Sequence, residues 1–270
     1  MRSKLLPQRL KDSLKVLLGR AAITPALHEE QRFSCPVCGA RGVTFAPLPM
    51  YYFRELHKHR FVLSIFEMET LNLEFYSCSV CGAADRERLY ALYFRRNVLP
   101  EASAVSILDI APAQALSRFL KSCPQLNVRT ADISMAGVDD VIDITNMRLY
   151  KDGQFDAFIC SHVLEHVPDD RQAMRELYRI VRPGGWGIAM VPINLALQEI
   201  HEDSSIVDEA SRWKYFAQND HVRMYSKRGF VERLESVGFR VRQLTGTDFG
   251  AGTLESQGID PRSVLYVATK

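Results

Sequence analysis

The 270-residue chain contains no stretch of 18 apolar residues, which excludes a bilayer-spanning helix on the sequence pattern. Its N-terminus has no short apolar core followed by a small-residue cleavage site, so no secretory leader is expected and a cytoplasmic location is. Net charge is small as well. The net value is +2, with no long basic stripe, which argues against nucleic acid as the partner. Internal repeats and low-complexity tracts are absent, removing solenoids and linker-like segments from consideration.

What is present fits one large α/β domain with a small appendage. Residues 1–20 carry six bases and one acid, with Leu10, Leu14, Leu17 and Leu18 on one helical face. A helix docked on the protein's own body is the expectation. A peripheral membrane or partner contact through residues 1–20 is the alternative. Residues 1–32 are read as this helix and a linker, 33–84 as a cysteine-bearing module, 85–103 as a linking helix, and 104–270 as the main domain.

From residue 104 short apolar runs alternate with helical patterns. Strands are expected at 105–110, 127–133, 139–144, 155–160, 186–192, 239–244 and 263–269. Helices are expected at 113–121 and 169–182, with a capping box from Asp169 and Gln172. Pro183-Gly184-Gly185 should end the second helix. Ser226 should cap a further one, closed by Gly238. This alternation predicts an α/β fold, a doubly wound, mostly parallel seven-stranded sheet whose ligand sits along one edge of strand ends.

Four of the six cysteines form two CxxC pairs, Cys35/Cys38 and Cys78/Cys81, each followed by glycine. A two-residue gap lets one tight turn offer two sulfurs to one ion, and zinc takes four thiolates tetrahedrally. The pattern predicts a small N-terminal zinc ribbon with a structural ion, since four thiolates leave no open position. Neither pair opens a helix in a βαβ unit, which disfavours a redox role. The 39-residue separation holds Tyr51, Tyr52, His57 and His59 and should form its own hairpin or helix. Cys123 and Cys160 read as core.

The first main strand ends in Asp109, followed by Ala111-Pro112-Ala113-Gln114-Ala115. Asp132 ends the second strand and Asp143-Ile144 the third. FDAFICSHVLEHVPDDRQAMRELYRIVRPGGW spans 155–186. In these features the chain resembles class I S-adenosylmethionine (SAM) dependent methyltransferases, of the methyltransferase type 11-like group that includes ubiquinone-biosynthesis and sugar methyltransferases. The resemblance covers residues 104–245 and implies a Rossmann-like fold with SAM as cofactor. It places Asp109, Ala111, Ala113 and Ser161 around the methionine and ribose of SAM, Asp132 on the ribose hydroxyls, and Asp143 and Ile144 at the adenine. Where the family has glycines, this chain has Ala111, Ala113 and Ala115. The absence of glycine at that turn excludes the GxGxxG signature of a dehydrogenase.

His162-Val-Leu-Glu165-His166 follows the fourth strand. As a bare pattern it matches an inverted zinc-protease motif, but that motif needs a long helix and Pro168 breaks this one. His162 is the first choice of base and His166 the second. Spacing alone leaves open whether His162, Glu165 and His166 bind a second metal. His221 and Arg223 lie in a loop that closes the acceptor pocket in the resembled enzymes. Trp213, Tyr215 and Phe216, in the long connection 193–220, are expected to form a lid or pocket wall. The resulting expectation is methylation of a small polar acceptor, an O-methylation of a sugar or related metabolite. Two alternatives stand beside it: an RNA methyltransferase that grips substrate with its ribbon, and a degenerate domain used for binding.

Overall fold

The computed structural model describes residues 33–101 and 103–270. The amphipathic segment 1–20 lies outside the described residues. The chain opens with β1 (Phe45–Ala46), α1 (Met50–Lys58), β2 (Ser77–Cys78) and α2 (Asp85–Tyr93). It then alternates through β3 (Val105–Ile110), α3 (Gln114–Lys121), β4 (Leu126–Asp132), β5 (Asp140–Val141), β6 (Phe155–Ser161), α4 (Asp170–Ile180) and β7 (Val181–Met190). The remainder is β8 (His201–Glu202), α5 (Glu209–Phe216), β9 (Arg223–Met224), α6 (Lys227–Ser236), β10 (Arg240–Leu244) and β11 (Leu265–Thr269).

Seven strands form the main sheet in the order β10-β11-β7-β6-β3-β4-β5. Neighbours are parallel except β11, which runs antiparallel to both β7 and β10. The β3 and β6 strands are solid apolar runs because both faces are covered, and Ile107, Leu108, Phe158 and Ile159 are all buried. From β3 the chain order moves outward one way to β4 and β5, and the other way to β6 and β7. That reversal opens a crevice at the carboxyl ends of β3 and β6.

Three local features differ from expectation, each for a backbone reason. The helix at 170 ends at Ile180, and Pro183-Gly184-Gly185 lies inside β7 as a bulge. Phe155 pairs with Val181 and Ala157 with Trp186, so the extra residues loop out. A proline without an N–H is tolerated at such a bulge. β5 spans two residues instead of six, because the Asp143 carboxylate accepts from Thr145 N at 2.8 Å and turns the chain off the sheet. Asp169 caps α4 by accepting from Gln172 N, but the Gln172 amide donates to Thr145 O instead of returning to Asp169. Only half of the capping box forms.

The cysteines converge as expected. Their sulfurs lie within 4.8 Å of one another, and Cys35 Sγ is 3.7 Å from Cys81 Sγ. Zinc–sulfur bonds of about 2.3 Å in a tetrahedron require edges of about 3.8 Å, so the set fits zinc. Gly39 and Gly82, at φ +75° and +77°, close the two knuckles by donating to the Cys35 and Cys78 carbonyls at 2.8 Å. Only glycine adopts that conformation without steric penalty.

This module shares its core with the sheet domain. Cys35, Val37, Val43 and Phe45 belong to the same apolar cluster as β3 and β6. The joint is Arg88 on α2, fully buried. Its guanidinium donates to Tyr76 O, Ala83 O and Phe75 O on the ribbon side. On the C-terminal side it donates to Gln257 O and Gly258 O, and it stacks 4.0 Å above the Phe45 ring. Five carbonyls therefore depend on one side chain. Arg88→Ala should lower the unfolding free energy by roughly 3–5 kcal/mol, because buried acceptors lose their donors together. Urea unfolding measures this, and an unchanged midpoint would show that the joint holds without Arg88. Metal analysis should find about one zinc per chain on the four thiolates, and Cys78→Ser should remove it along with part of the thermal stability.

Candidate active site

The crevice begins at Asp109, the fifth residue of β3. It is 1% exposed, and its Oδ2 has no hydrogen-bond partner among the described residues. Burial pushes this carboxyl up to about 7, with the Lys121 charge pulling partly the other way. Ala111 follows at φ +51°, held by its N–H donating to Ala131 O at 2.8 Å. The left-handed region costs a non-glycine residue about 1 kcal/mol or more, so the turn keeps a glycine-type shape at the expense of strain. Ala113 then precedes α3 with no side chain capping the helix N-terminus. These small residues line a cleft of about 50 Å³ together with Arg86, Glu87 and Tyr90 of α2 and Ile159 and Ser161 of β6.

An orphaned buried carboxylate, a bare helix N-terminus and small side chains fit the polar methionine end of SAM. The other predicted residues take places around the same strand ends. Asp132, half-buried at the end of β4, spends Oδ1 on Ser134 N and Met135 N and leaves Oδ2 as an acceptor. Asp143 is exposed beyond β5, and Ile144 beside it is buried. Ser161 ends β6 and bonds the Tyr90 hydroxyl at 2.8 Å. A larger surface hollow of about 520 Å³ lies at Tyr150 and Arg179, but its guanidinium already pairs with Glu176 and Asp152.

The histidine-rich segment leaves the sheet at the end of β6. His162, the first residue past β6, is at φ +56°. Its Nδ1 is 3.4 Å from Glu165 Oε1. Burial holds its pKa well below the usual imidazole range, and the Arg86 charge adds to this. His166 and His221 pack edge to face, with ring centroids 4.7 Å apart. Val222 N donates to Glu165 O at 2.8 Å, bringing the loop at 221 onto the segment at 165. His162, His166 and His221 thus share one site although 55 residues separate the last two.

Arg223 takes a different position. It is 4% exposed, and its guanidinium donates to Leu164 O, Val167 O and Pro168 O as well as to Glu202. Those donors are committed to backbone, so Arg223 shapes the histidine segment instead of facing a ligand. Asp170 sits behind it, accepting from the Tyr225 hydroxyl and from Arg233, both at 2.5 Å. This buried network pins α4, α6, β8 and β9 under the histidines.

The insert between the two CxxC pairs packs against the connection 193–220. Glu69 N donates to Ile193 O, Leu195 N to Glu67 O, and Val62 N to Lys214 O. Met68, Phe216 and Met224 form a second small core at this seam. Trp213 is 4% exposed and stacks on His59, with centroids 6.0 Å apart. The aromatic residues of the connection 193–220 therefore anchor a fixed cap that packs against the insert. Arg86 is expected near the mouth of the site because it follows the second knuckle directly; the residues least evident from sequence are Glu87 and Tyr90 beside it. They lie on one helical turn directly after the second knuckle, and only the docked ribbon aims them at the cleft. The hydroxyl of Tyr76, at 3.2 Å, is the hydrogen-bond acceptor for Arg86 among the described residues.

Comparison with known proteins adds the following. Residues 82–244 match the profile of the methyltransferase-domain family. No curated protein sequence matches the chain. Solved structures resemble its fold at low identity. A methyltransferase structure from Bacillus halodurans is 15% identical, with a TM-score of 0.42, covering 66% of this chain and 98% of that one. A SAM-dependent methyltransferase from Archaeoglobus fulgidus is 14% identical, with a TM-score of 0.44, covering 68% and 94%. Haemonchus contortus phosphoethanolamine N-methyltransferase 2, solved with SAM, is 16% identical, with a TM-score of 0.46, covering 70% and 53%. With six of the seven strands of the main sheet and the whole histidine segment inside the matched span, the chain belongs to the methyltransferase-domain family and is a class I SAM-dependent methyltransferase.

Proposed function

We propose that the enzyme transfers the methyl group of SAM to a hydroxyl of a small polar acceptor, a sugar or a related metabolite. The observation that carries this reading is the position of His162. It follows Ser161, which lines the cleft together with Asp109, on a left-handed backbone directly past the end of β6. A base there stands beside the expected methyl donor, where an acceptor oxygen has to lose its proton.

The remaining residues divide into two groups. Asp109, the turn 111–114 and Ser161 would hold the methionine end of SAM, Asp132 its ribose, and Asp143 with Ile144 its adenine. When bound, SAM supplies an electrophilic methyl on a sulfonium. His162 receives the hydroxyl proton. Tyr52, Tyr76, Arg86 and His166 give the acceptor side hydroxyl, guanidinium and imidazole groups, which suits a ligand rich in oxygen. The cap formed by the insert and α5 restricts this space and favours a small acceptor. No helix among the described residues is long and apolar enough to cross a membrane.

Two measurements test the assignment. Asp132→Ala should weaken SAM binding roughly tenfold or more, as a charge-assisted hydrogen bond is lost. Calorimetry reads the affinity and circular dichroism checks the fold; an unchanged affinity would remove Asp132 from the cofactor site. His162→Ala should retain SAM affinity and lower kcat by about 10²- to 10⁴-fold on a hydroxylated acceptor. Wild-type turnover in that variant would assign the base elsewhere.

A further inference from the structure

The insert between the CxxC pairs presents one helix face outward. On α1, Met50, Tyr51, Arg54, His57 and Lys58 are all exposed, and at about 3.6 residues per turn they fall within an arc of about 120°. Leu56, the buried residue of this helix, lies on the opposite side. The chain then turns at Arg60, which is exposed, and Val62 follows with half of its surface uncovered. Tyr51 and Val62 both lie along α5. The Tyr51 ring is 6.2 Å from that of Trp213, and Val62 N donates to Lys214 O at 3.0 Å. The helix face and the turn after it therefore form one patch.

The patch combines free cations with uncovered apolar side chains. Among the described residues Arg54 and Arg60 have no acid partner. The acid of this helix, Glu55, is half-buried and already spent on Lys58 at 3.0 Å and His59 at 3.3 Å. The packed helix α5 holds Arg212 and Lys214 against one acid, Glu209, so it does not reverse the sign. Beside these bases Met50 is 61% and Tyr51 57% exposed. Bases reach lipid phosphates, a tyrosine ring sits at headgroup level, and aliphatic ends enter the acyl boundary. Nucleic acid would meet the same bases but leave Met50 and Val62 in water, since its contacts call for polar donors or stacking rings.

We propose that the outward face of α1, together with Arg60 and Val62, is a docking surface for a bilayer rich in anionic lipid, which holds the enzyme at a membrane surface without a spanning segment. Each base near such a surface strengthens binding about fivefold. On the inward side of the same helix Tyr52 is half-buried, its hydroxyl pushed up by burial and acted on by Tyr76 and the Arg86 charge. The docking face and a side chain next to Arg86 are thus two sides of one helix.

Vesicle flotation of the full chain tests the surface without cofactor or acceptor, so its result is independent of the hydroxyl-acceptor reading. Vesicles of phosphatidylcholine mixed with phosphatidylglycerol should bind the protein and release it as salt rises, and vesicles of phosphatidylcholine alone should not. Arg54→Glu combined with Arg60→Glu should lower the affinity about 25-fold or more, while SAM affinity by calorimetry stays unchanged. Met50→Trp reports the contact itself. Its added indole should be solvent-exposed in buffer, then shift to the blue on anionic vesicles and be quenched by spin-labelled acyl chains. Binding through the basic segment 1–20 alone would leave that indole unquenched. Absence of binding to anionic vesicles, equal binding by the double variant, an unquenched indole, or an indole already covered in buffer by residues 1–32 or a second copy would overturn the proposal. So would a double variant that loses binding to single-stranded RNA and keeps binding to vesicles.

Discussion

The Arg88 guanidinium is the constraint on which the rest of the arrangement depends. It is a buried cation whose five donors end on main-chain carbonyls from two distant parts of the chain. Asp85, one turn earlier and equally buried, balances the charge at short range and accepts from Asn72 N and Arg86 N. A buried charge is tolerated only with such complete satisfaction. The consequence reaches the active site, because the helix that carries Arg88 inward also carries Arg86, Glu87 and Tyr90 to the cleft. Docking of the ribbon and formation of this cleft wall are therefore one event.

A second set of buried polar groups does comparable work at the opposite edge. Arg223 satisfies three carbonyls of the segment 164–168, where the chain has left β6 and Pro168 prevents a continuous helix. Backbone oxygens freed by that irregular turn need donors, and a guanidinium provides several at once. The turn is thereby rigid enough to present His162, Glu165 and His166 in fixed directions, while Val222 N ties His221 to the same frame. Arg88 and Arg223 share a logic. Each is a cation used as a multiple donor to backbone, Arg88 beside the cleft and Arg223 beneath the histidine segment.

The strain in the site is confined to two turns. Ala111 and His162 both occupy the left-handed region, at the ends of adjacent parallel strands. Each is locked by a backbone bond to the next strand, Ala111 N to Ala131 O and His162 N to Met190 O, both at 2.8 Å. The sheet supplies the energy that holds these residues where glycine would sit more easily.

Several features were legible from local pattern alone. The CxxC spacing determined which sulfurs meet, since a two-residue gap has few geometries. The apolar runs at 105–110 and 155–160 determined two central strands, and Ser226 and Asp169 determined helix starts, because each depends on neighbours in sequence. The carboxylates at the strand ends could likewise be read from where those runs stop. Tertiary structure decided the rest. Arg223 and His221 stand two residues apart in one loop, yet the first is spent on carbonyls of the segment 164–168 and the second packs edge to face on His166. The insert of the ribbon pairs with residues 193–195 and 214, far along the chain, to form the cap. The Pro-Gly-Gly turn became a strand bulge because β6 offered it a ladder. Each outcome depends on which distant groups remained to satisfy a buried donor or acceptor, and that is known only after the chain has closed on itself.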